Sequence, residues 1–382
     1  MIDRSTYEKY QQCADPELRP LFENYVVLNT EAPSDDYARF TLIGSHCPAL
    51  AEGLCSIQSK LGEEYLSKTC LTYPRVVNQV DDVLQRSLHL SCPEAARLVL
   101  LDPAPIALRL QEGAQDTSRA GNLVEVDTSR PGPGGKSYRH FTAIQSYVIS
   151  LLQDRAYPLS QRLLMLNAFS NYLDELLSQD NSDGILALIR QPRARLSQNS
   201  LPAQPLLQLE TVLELIIGRI SSDFTNRRFL DCYQQLMKGL DWTMETSMTD
   251  LERRYAQARS TYFAPLVSAH EHILENYVVN YVFKTLFPFG AQDRKQRQIL
   301  PDNPSASAHC ALLVTYYAII RTLAIGVAAF QKDAFGTGHL VQVTQTTSRT
   351  FEHSTAYPER IMEMLRAKGM LNQAGMAVLV SH

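Results

Sequence analysis

Four cysteines near the start of the chain are the residues best suited to chemistry. The stretch from 46 to 94 holds four of the seven cysteines: Cys47, Cys55, Cys70 and Cys92. Thiolates are soft ligands, and four of them can close a tetrahedral zinc site or hold an iron–sulfur cluster. The intervening segments of seven, fourteen and twenty-one residues contain no CxxC pair. Spacing alone therefore leaves a metal site and four separate buried thiols equally open.

A second group of polar residues lies on one predicted helix, 266–287. Glu271 and Glu275 are four residues apart and share a helix face, and Tyr277 follows them. A zincin motif would need histidine four residues after His270, but Leu274 stands there, so we exclude HExxH. The alternative to a catalytic role is an ordinary polar face between helices, marked also by the row His272, Asn276, Asn280 and Lys284.

His353 is a third candidate. Histidine titrates near neutrality and can act as a general base. The alternative is a histidine at a helix C-terminus, where the helix dipole stabilises its charge.

Composition excludes several classes of protein. The 382 residues are 45% apolar and 20% charged, with a net charge of −4, so we expect no nucleic-acid partner. The most apolar segment, 311–330, carries Arg321 at its middle, which predicts a buried core helix and no membrane insertion. No secretory signal opens the chain and the cysteine count is odd, so we expect a cytoplasmic protein without disulfides.

The hydrophobic pattern predicts a mainly α protein: a small cysteine-rich α+β domain over 1–115, a linker over 116–137 and an irregular helical bundle over 138–382. In the first domain we predict a helix over 3–25, a strand over 37–43, a hairpin over 75–90 and a helix over 95–101. The predicted bundle helices are 138–153, 159–177, 206–220, 227–240, 250–259, 266–287, 308–332, 341–352 and 358–368.

Four blocks of the chain resemble a known family. CPALAEGLCSIQSKLGEEYLSKTCLTYPR is similar to the second half of the CxxCxxCC zinc- or iron-chelating family. More closely, the whole chain resembles the bacterial flagellin lysine-N-methylases. LGEEYLSKTCLTYPR, SLHLSCPEAARLVL, HEHILENYVVNYVFKTLFPFG and QTTSRTFEHS look like blocks of that family in the same order.

The resemblance implies methyl transfer from S-adenosylmethionine to lysine ε-amines of flagellin. It also implies a centre, iron–sulfur or alternatively zinc, ligated by Cys47, Cys55, Cys70 and Cys92. Only a neutral amine is nucleophilic, so a carboxylate on the 266–287 helix could take the lysine proton; Glu271, Glu275 and Tyr277 are the expected catalytic residues. No GxGxxG follows a strand, so a doubly wound methyltransferase domain is not expected and the residues that bind the donor are not predicted.

The resemblance departs from the family at the front. Members begin with a further cysteine segment before the part that resembles residues 2–10, and Cys13 does not replace it. Two other functions stay open: a non-catalytic metal-binding or chaperone-like partner of flagellin, and an iron–sulfur redox protein. A donor-sized pocket lined by the cysteine stretch and the 266–287 helix would favour the enzyme.

Overall fold

The computed structural model describes residues 2–29, 36–43, 47–52, 54–111, 124–130, 138–196, 204–221, 226–290, 305–354 and 356–380. The chain divides into an N-terminal unit, which comprises Met1–Val77 and Gly113–Leu123, and a larger helical unit, which comprises Asn78–Glu112 and Val124–His382. The predicted boundaries at 115 and 137 differ from this division, because 78–112 packs within the helical unit. Much of the predicted linker lies outside the described residues.

The N-terminal unit mixes short helices and strands. Its elements are α1 (Arg4–Gln11), α2 (Leu18–Tyr25), β1 (Val26–Leu28), β2 (Ala38–Phe40), β3 (Leu50–Ala51), β4 (Leu54–Cys55), α3 (Ser56–Leu61) and α4 (Lys68–Thr72). Strands β1 and β2 are antiparallel, as are β3 and β4. Ile2, Tyr10 and Phe22 form a small core in which the rings of Tyr10 and Phe22 stack at 4.1 Å.

The single helix predicted over 3–25 is wrong. Two helices replace it, because Asp15 accepts hydrogen bonds from the backbone N–H groups of Glu17 and Leu18 and so starts a new helix. Asp3 caps the first helix by accepting a hydrogen bond from the backbone N–H of Thr6.

A three-stranded sheet with order β6-β5-β7 precedes the bundle. It consists of β5 (Arg75–Val80), β6 (Val83–Leu88) and β7 (Val124–Val126), and β5 and β6 form the predicted hairpin. Strand β7 runs parallel to β5, with Asn78 opposite Val124.

The bundle confirms the predicted fold class. Its helices are α5 (Pro93–Leu100), α6 (Phe141–Leu152), α7 (Leu159–Ser178), α8 (Ser182–Arg190), α9 (Pro205–Ile220), α10 (Arg227–Gly239), α11 (Met248–Ala258), α12 (Ala264–His270), α13 (His272–Lys284), α14 (Ala306–Gln331), α15 (Thr337–Thr347), α16 (Tyr357–Ala367) and α17 (Gln373–Val380). Helices α8 and α17 were not predicted. The helix predicted over 266–287 is divided at Glu271 into α12 and α13.

Helix α14 is the axis of the bundle. It packs against α7, α9, α10, α11, α13, α15, α16 and α17. Among the described residues it is the one helix long and apolar enough to cross a membrane, yet its most apolar window is wholly buried inside the protein. The guanidinium of Arg321 donates to the carbonyl of Val380 at 2.6 Å, so the charge that interrupts the apolar segment has a partner in the core. The predicted buried core helix is confirmed.

Glycine sets the distance between α10 and α14. A Cβ at Gly239 would lie 2.5 Å from the backbone nitrogen of Phe330 and 2.6 Å from the carbonyl oxygen of Gly326. Backbone atoms cannot move aside as a flexible side chain can. The two helices can therefore cross this closely only because both crossing residues are glycines.

We predict that His309, buried in α14, makes the protein less stable in acid. Burial lowers the pKa of His309 to about 4, although its contact with the carbonyl of Pro288 raises it. Between pH 6.5 and 4 the unfolded chain binds a proton that the folded chain does not. The free energy of unfolding therefore decreases as the pH is lowered, by about 2 kcal/mol at pH 5. Urea unfolding at pH 7 and pH 5 should show a smaller loss for His309→Gln than for the parent and for the control His270→Gln. Equal losses in all three would contradict the assignment.

Candidate functional site

The two predicted catalytic glutamates lie in an ion-pair network with two arginines. Oε2 of Glu275 accepts from Nη1 of Arg162 at 2.6 Å, and Oε1 accepts from Nη2 of Arg155 at 2.9 Å. Glu271 accepts from Nη2 of Arg162 at 2.6 Å and from the backbone N–H of Leu159 at 3.0 Å. The side chains of Arg162 and Glu275 are 0% and 1% exposed. The network thus joins α13 to the start of α7.

This geometry gives Glu275 a structural role. Burial raises the pKa of Glu275, but the hydrogen bonds from Arg155 and Arg162 outweigh it and hold the pKa below its usual value. Both carboxylate oxygens already accept charged hydrogen bonds. A general base needs a free lone pair that faces its substrate. In the described geometry Glu275 is thus a counter-ion of Arg155 and Arg162, and its catalytic role stays a prediction.

The opposite face of α13 holds the segment 78–112 by amide hydrogen bonds. The side-chain amide of Asn276 donates to the carbonyls of Val99 and Asp102, and that of Asn280 donates to the carbonyl of Leu88. Asn276 and Asn280 of this polar row therefore join elements of the helical unit.

A polar cluster lies at the C-terminal end of this row. We define it by five residues: His89, Ser91, Lys284, Glu352 and His353. Lys284 and Glu352 form an ion pair whose side chains are 6% and 7% exposed. Nε2 of His353 is 2.8 Å from Oγ of Ser91, and the rings of His353 and His89 are 5.0 Å apart.

Tyr277 contacts the cluster through its hydroxyl group. Its hydroxyl donates to Oε1 of Glu352 at 3.0 Å, and burial raises the pKa of Tyr277 well above its usual value. The side chain is 1% exposed. Tyr277, predicted as catalytic, thus orients Glu352 as a neutral donor in the described geometry.

Both imidazoles of the cluster are held in the neutral form near pH 7. Burial, then the charge of Lys284, then His353 lower the pKa of His89 to about 3. Burial of the ring lowers the pKa of His353 as well. Glu352 opposes this effect, and Lys284 and Arg349 add to it. The residue as a whole nevertheless reaches the surface. Nδ1 of His89 is buried and has no hydrogen-bond partner among the described residues. The cluster therefore combines a buried cation with neutral nitrogen bases.

Local backbone geometry aims Glu352 into the cluster. After α15 the chain widens into a π-helical turn, Ser348–Glu352, and His353 ends it. Such turns shift side chains out of the regular helical register and are frequent at functional sites. His353 therefore ends a helix, as the alternative for this residue supposed, and also contacts Ser91.

The cluster joins three blocks that carried the family resemblance. His89 and Ser91 lie in SLHLSCPEAARLVL, Lys284 in HEHILENYVVNYVFKTLFPFG, and Glu352 and His353 in QTTSRTFEHS. Sequence reasoning singled out His353 and the row containing Lys284 but gave no role to His89, Ser91 or Glu352. The sequence could have indicated these residues, because each lies in a block that resembles the flagellin lysine-N-methylases. The blocks are far apart, since Ser91 and His353 are separated by 262 residues.

The four predicted metal ligands are divided between the two units. Cys47, Cys55 and Cys70 belong to the N-terminal unit and Cys92 to the helical unit. Burial raises the pKa of Cys47, a hydrogen bond with the backbone of Ala49 opposes this, and the charges of Cys70 and Cys55 raise the pKa further. Within the described ranges, no three His, Cys, Asp or Glu side chains are grouped closely enough to hold a metal ion. The iron–sulfur or zinc centre therefore stays a prediction.

Two other cysteines lie in the core of the helical unit. Cys232 and Cys310 are buried in the bundle core, and burial raises the pKa of each to about 12.

A cavity of about 310 Å³ lies elsewhere in the helical unit, among α7, the start of α14, α16 and the start of α17. None of its lining residues belongs to the cysteine stretch or to the predicted 266–287 helix. This cavity is therefore not the pocket between the cysteine stretch and the 266–287 helix that would favour an enzyme.

The fold and the cluster define a mainly helical protein whose polar site is built from widely separated segments. Comparison with known families identifies the class: residues 145–379 match the family described as the FliB lysine N-methylase C-terminal domain. The match spans more than half of the chain, and the chain belongs to this family. The predicted family is thereby confirmed.

Curated relatives agree with the family. The chain is 30% identical to the Lysine-N-methylase of Salmonella typhimurium over 125 residues, 32% of this chain and 31% of the relative. It is 31% identical to the Flagellar biosynthetic protein FliU of Salmonella muenchen over 110 residues, 28% of this chain and 64% of the relative. The chain thus aligns with about a third of the first relative and about two thirds of the second. No solved structure matches.

We predict that Glu275→Gln strongly destabilises the fold. The change leaves the buried guanidinium of Arg162 without its main counter-charge, and breaking a buried ion pair costs about 3–5 kcal/mol. Glu245→Gln, at an exposed site, is the matched control and should change little. Denaturant unfolding measures both. A cost for Glu275→Gln no larger than that of the control would contradict the structural role.

Proposed function

We propose that this protein is a lysine N-methyltransferase that acts on flagellin in the cytoplasm, with S-adenosylmethionine as methyl donor. The observation that carries the proposal is the match of residues 145–379 to the FliB lysine N-methylase family. The flagellar name of a second relative favours flagellin as the substrate. The polar cluster supports the proposal because its chemistry suits a lysine amine.

The reaction requires a neutral amine. A lysine ammonium has a pKa of about 10.4, so almost none of it is nucleophilic near pH 7. S-adenosylmethionine supplies a methyl group on a sulfonium, which the amine lone pair takes as the carbon–sulfur bond breaks. The protein therefore has to remove a proton from the amine and keep it removed.

The polar cluster can favour the neutral amine in two ways. Beside His89, burial and then the charge of Lys284 disfavour a further positive charge, whereas Glu352 opposes this effect at His353. His353, at the exposed end, has a neutral ring nitrogen that can accept the proton and pass it to water. Glu352 and Tyr277 hold Lys284 in place. We assign the cluster to the lysine amine because its neutral ring nitrogens can take up the proton of that amine.

We expect His353→Asn to lower the methylation rate by about 10²-fold, the usual effect of removing a general base. The loss should be smaller at high pH, where the amine loses its proton unaided. His270→Asn is the matched control and should act like the parent. The measurement is transfer of labelled methyl groups to purified flagellin across pH 6–9. A parent rate in His353→Asn at every pH would remove this residue from the mechanism.

Glu352 needs a paired design, because Glu352→Gln alone leaves Lys284 buried without its partner. The double variant Lys284→Met/Glu352→Gln removes both charges. It should fold, because no buried charge is left unpaired and the glutamine oxygen can still accept the hydrogen bond from Tyr277. It should still methylate poorly. If all variants and the parent bind flagellin without methylating it, the protein is the non-catalytic flagellin partner.

The iron–sulfur centre is a separate proposal, based on the family resemblance, and no step above passes through it. We expect iron and sulfide in the anaerobically purified protein, lost in Cys55→Ser and kept in Cys232→Ala. Elemental analysis with a visible spectrum measures both. Zinc in the parent would replace iron–sulfur by a structural site, and absence of metal would leave ordinary thiols.

A further inference from the structure

The cavity in the helical unit has two kinds of wall. Its floor is apolar and buried, formed by Ala311, Met362 and Met376. Its exposed rim carries Glu359 and Glu363, one turn apart on α16, and Arg366. At about 310 Å³ it reaches the lower end of the volumes typical of ligand sites.

The charges around the cavity disfavour an anion. Helix α14 begins at its wall, but the N–H groups of Ala306 and Ser307 already donate to the carboxylate of Asp174, at 2.7 and 2.9 Å. The N–H of Ala308 donates to the hydroxyl of Ser305 at 3.0 Å. These groups are therefore not available to an anionic ligand, and Asp174 adds a negative charge behind the wall.

The rim carboxylates have no ion-pair partner in the part of the chain that the structure describes. Other glutamates in this part of the chain do form salt bridges, for example Glu214 with Lys368. Glu359 and Glu363 form none there. Carboxylates one turn apart at the mouth of a cavity attract a cation. Arg366 offsets one of the two charges, which leaves room for one cationic head.

We propose that this cavity binds a lysine side chain of the protein substrate, as a docking site separate from the polar cluster. The methylenes of a lysine would lie on the methionine floor, since lysine stems pack on apolar surface while their heads stay in water. The ammonium would pair with Glu359 and Glu363. The choice of a lysine-bearing protein as ligand rests on the proposed function, but the cavity and its charges do not.

The test measures binding without a methyl donor. The probe is Nα-acetyl-lysine amide, and Nα-acetyl-norleucine amide is its uncharged counterpart. With methionine methyl groups labelled with ¹³C, the lysine probe should shift the signals of Met362 and Met376 but not that of Met165, which lies in the core. The norleucine probe should shift neither at the same concentration.

Charge variants complete the design. The double variant Glu359→Gln/Glu363→Gln should weaken binding of the lysine probe at least tenfold. The control Glu210→Gln/Glu245→Gln makes the same change of charge at exposed sites elsewhere and should leave binding unchanged. The proposal is overturned if the lysine probe causes no shift, if both probes bind equally, or if only S-adenosylmethionine shifts Met362 and Met376. Lysine binding without methylation of flagellin would reject the proposed function alone. Methylation without lysine binding here would reject the docking site alone.

Discussion

Helix α13 is buried along almost its whole length and yet carries charged and amide side chains, so each of these has to find a partner inside the protein. An unpaired charge or amide in the core would cost more than the helix could recover by burial. Glu275 meets this requirement with Arg162 and Arg155, and Asn276 and Asn280 meet it with backbone carbonyls of the segment 78–112. The position of that segment in the helical unit, and of the start of α7, follows from these pairings.

The same requirement creates the polar cluster. Lys284 is the last residue of the row, and its partner Glu352 comes from a π-helical turn that departs from regular helical register. Burial lowers the pKa of His89 and of His353, and the charge of Lys284 adds to this effect. Burial at this end of α13 thus favours neutral nitrogen bases beside a structural ion pair.

The two ends of α13 explain why similar residues have different roles. Glu275 and Glu352 are both buried carboxylates that pair with a cation, but Glu275 is enclosed by two arginines, whereas the pair formed by Glu352 adjoins a histidine that reaches the surface. Access separates a residue that stabilises the fold from one that can take part in chemistry. The family match includes most of this site, and His89 and Ser91 join it from a segment before the matched residues.

Periodicity alone predicted the mainly α class, the buried helix α14, the 75–90 hairpin and most bundle helices, because these depend on local spacing of apolar residues. Resembling blocks alone predicted the family. Tertiary structure decided what spacing could not: that Glu271 and Glu275 face arginines more than 100 residues away, that 78–112 belongs to the helical unit, and that Cys92 lies in a different unit from Cys47, Cys55 and Cys70. Whether a carboxylate is a base or a counter-ion depends on which distant charge packs against it, and that is a property of the folded chain.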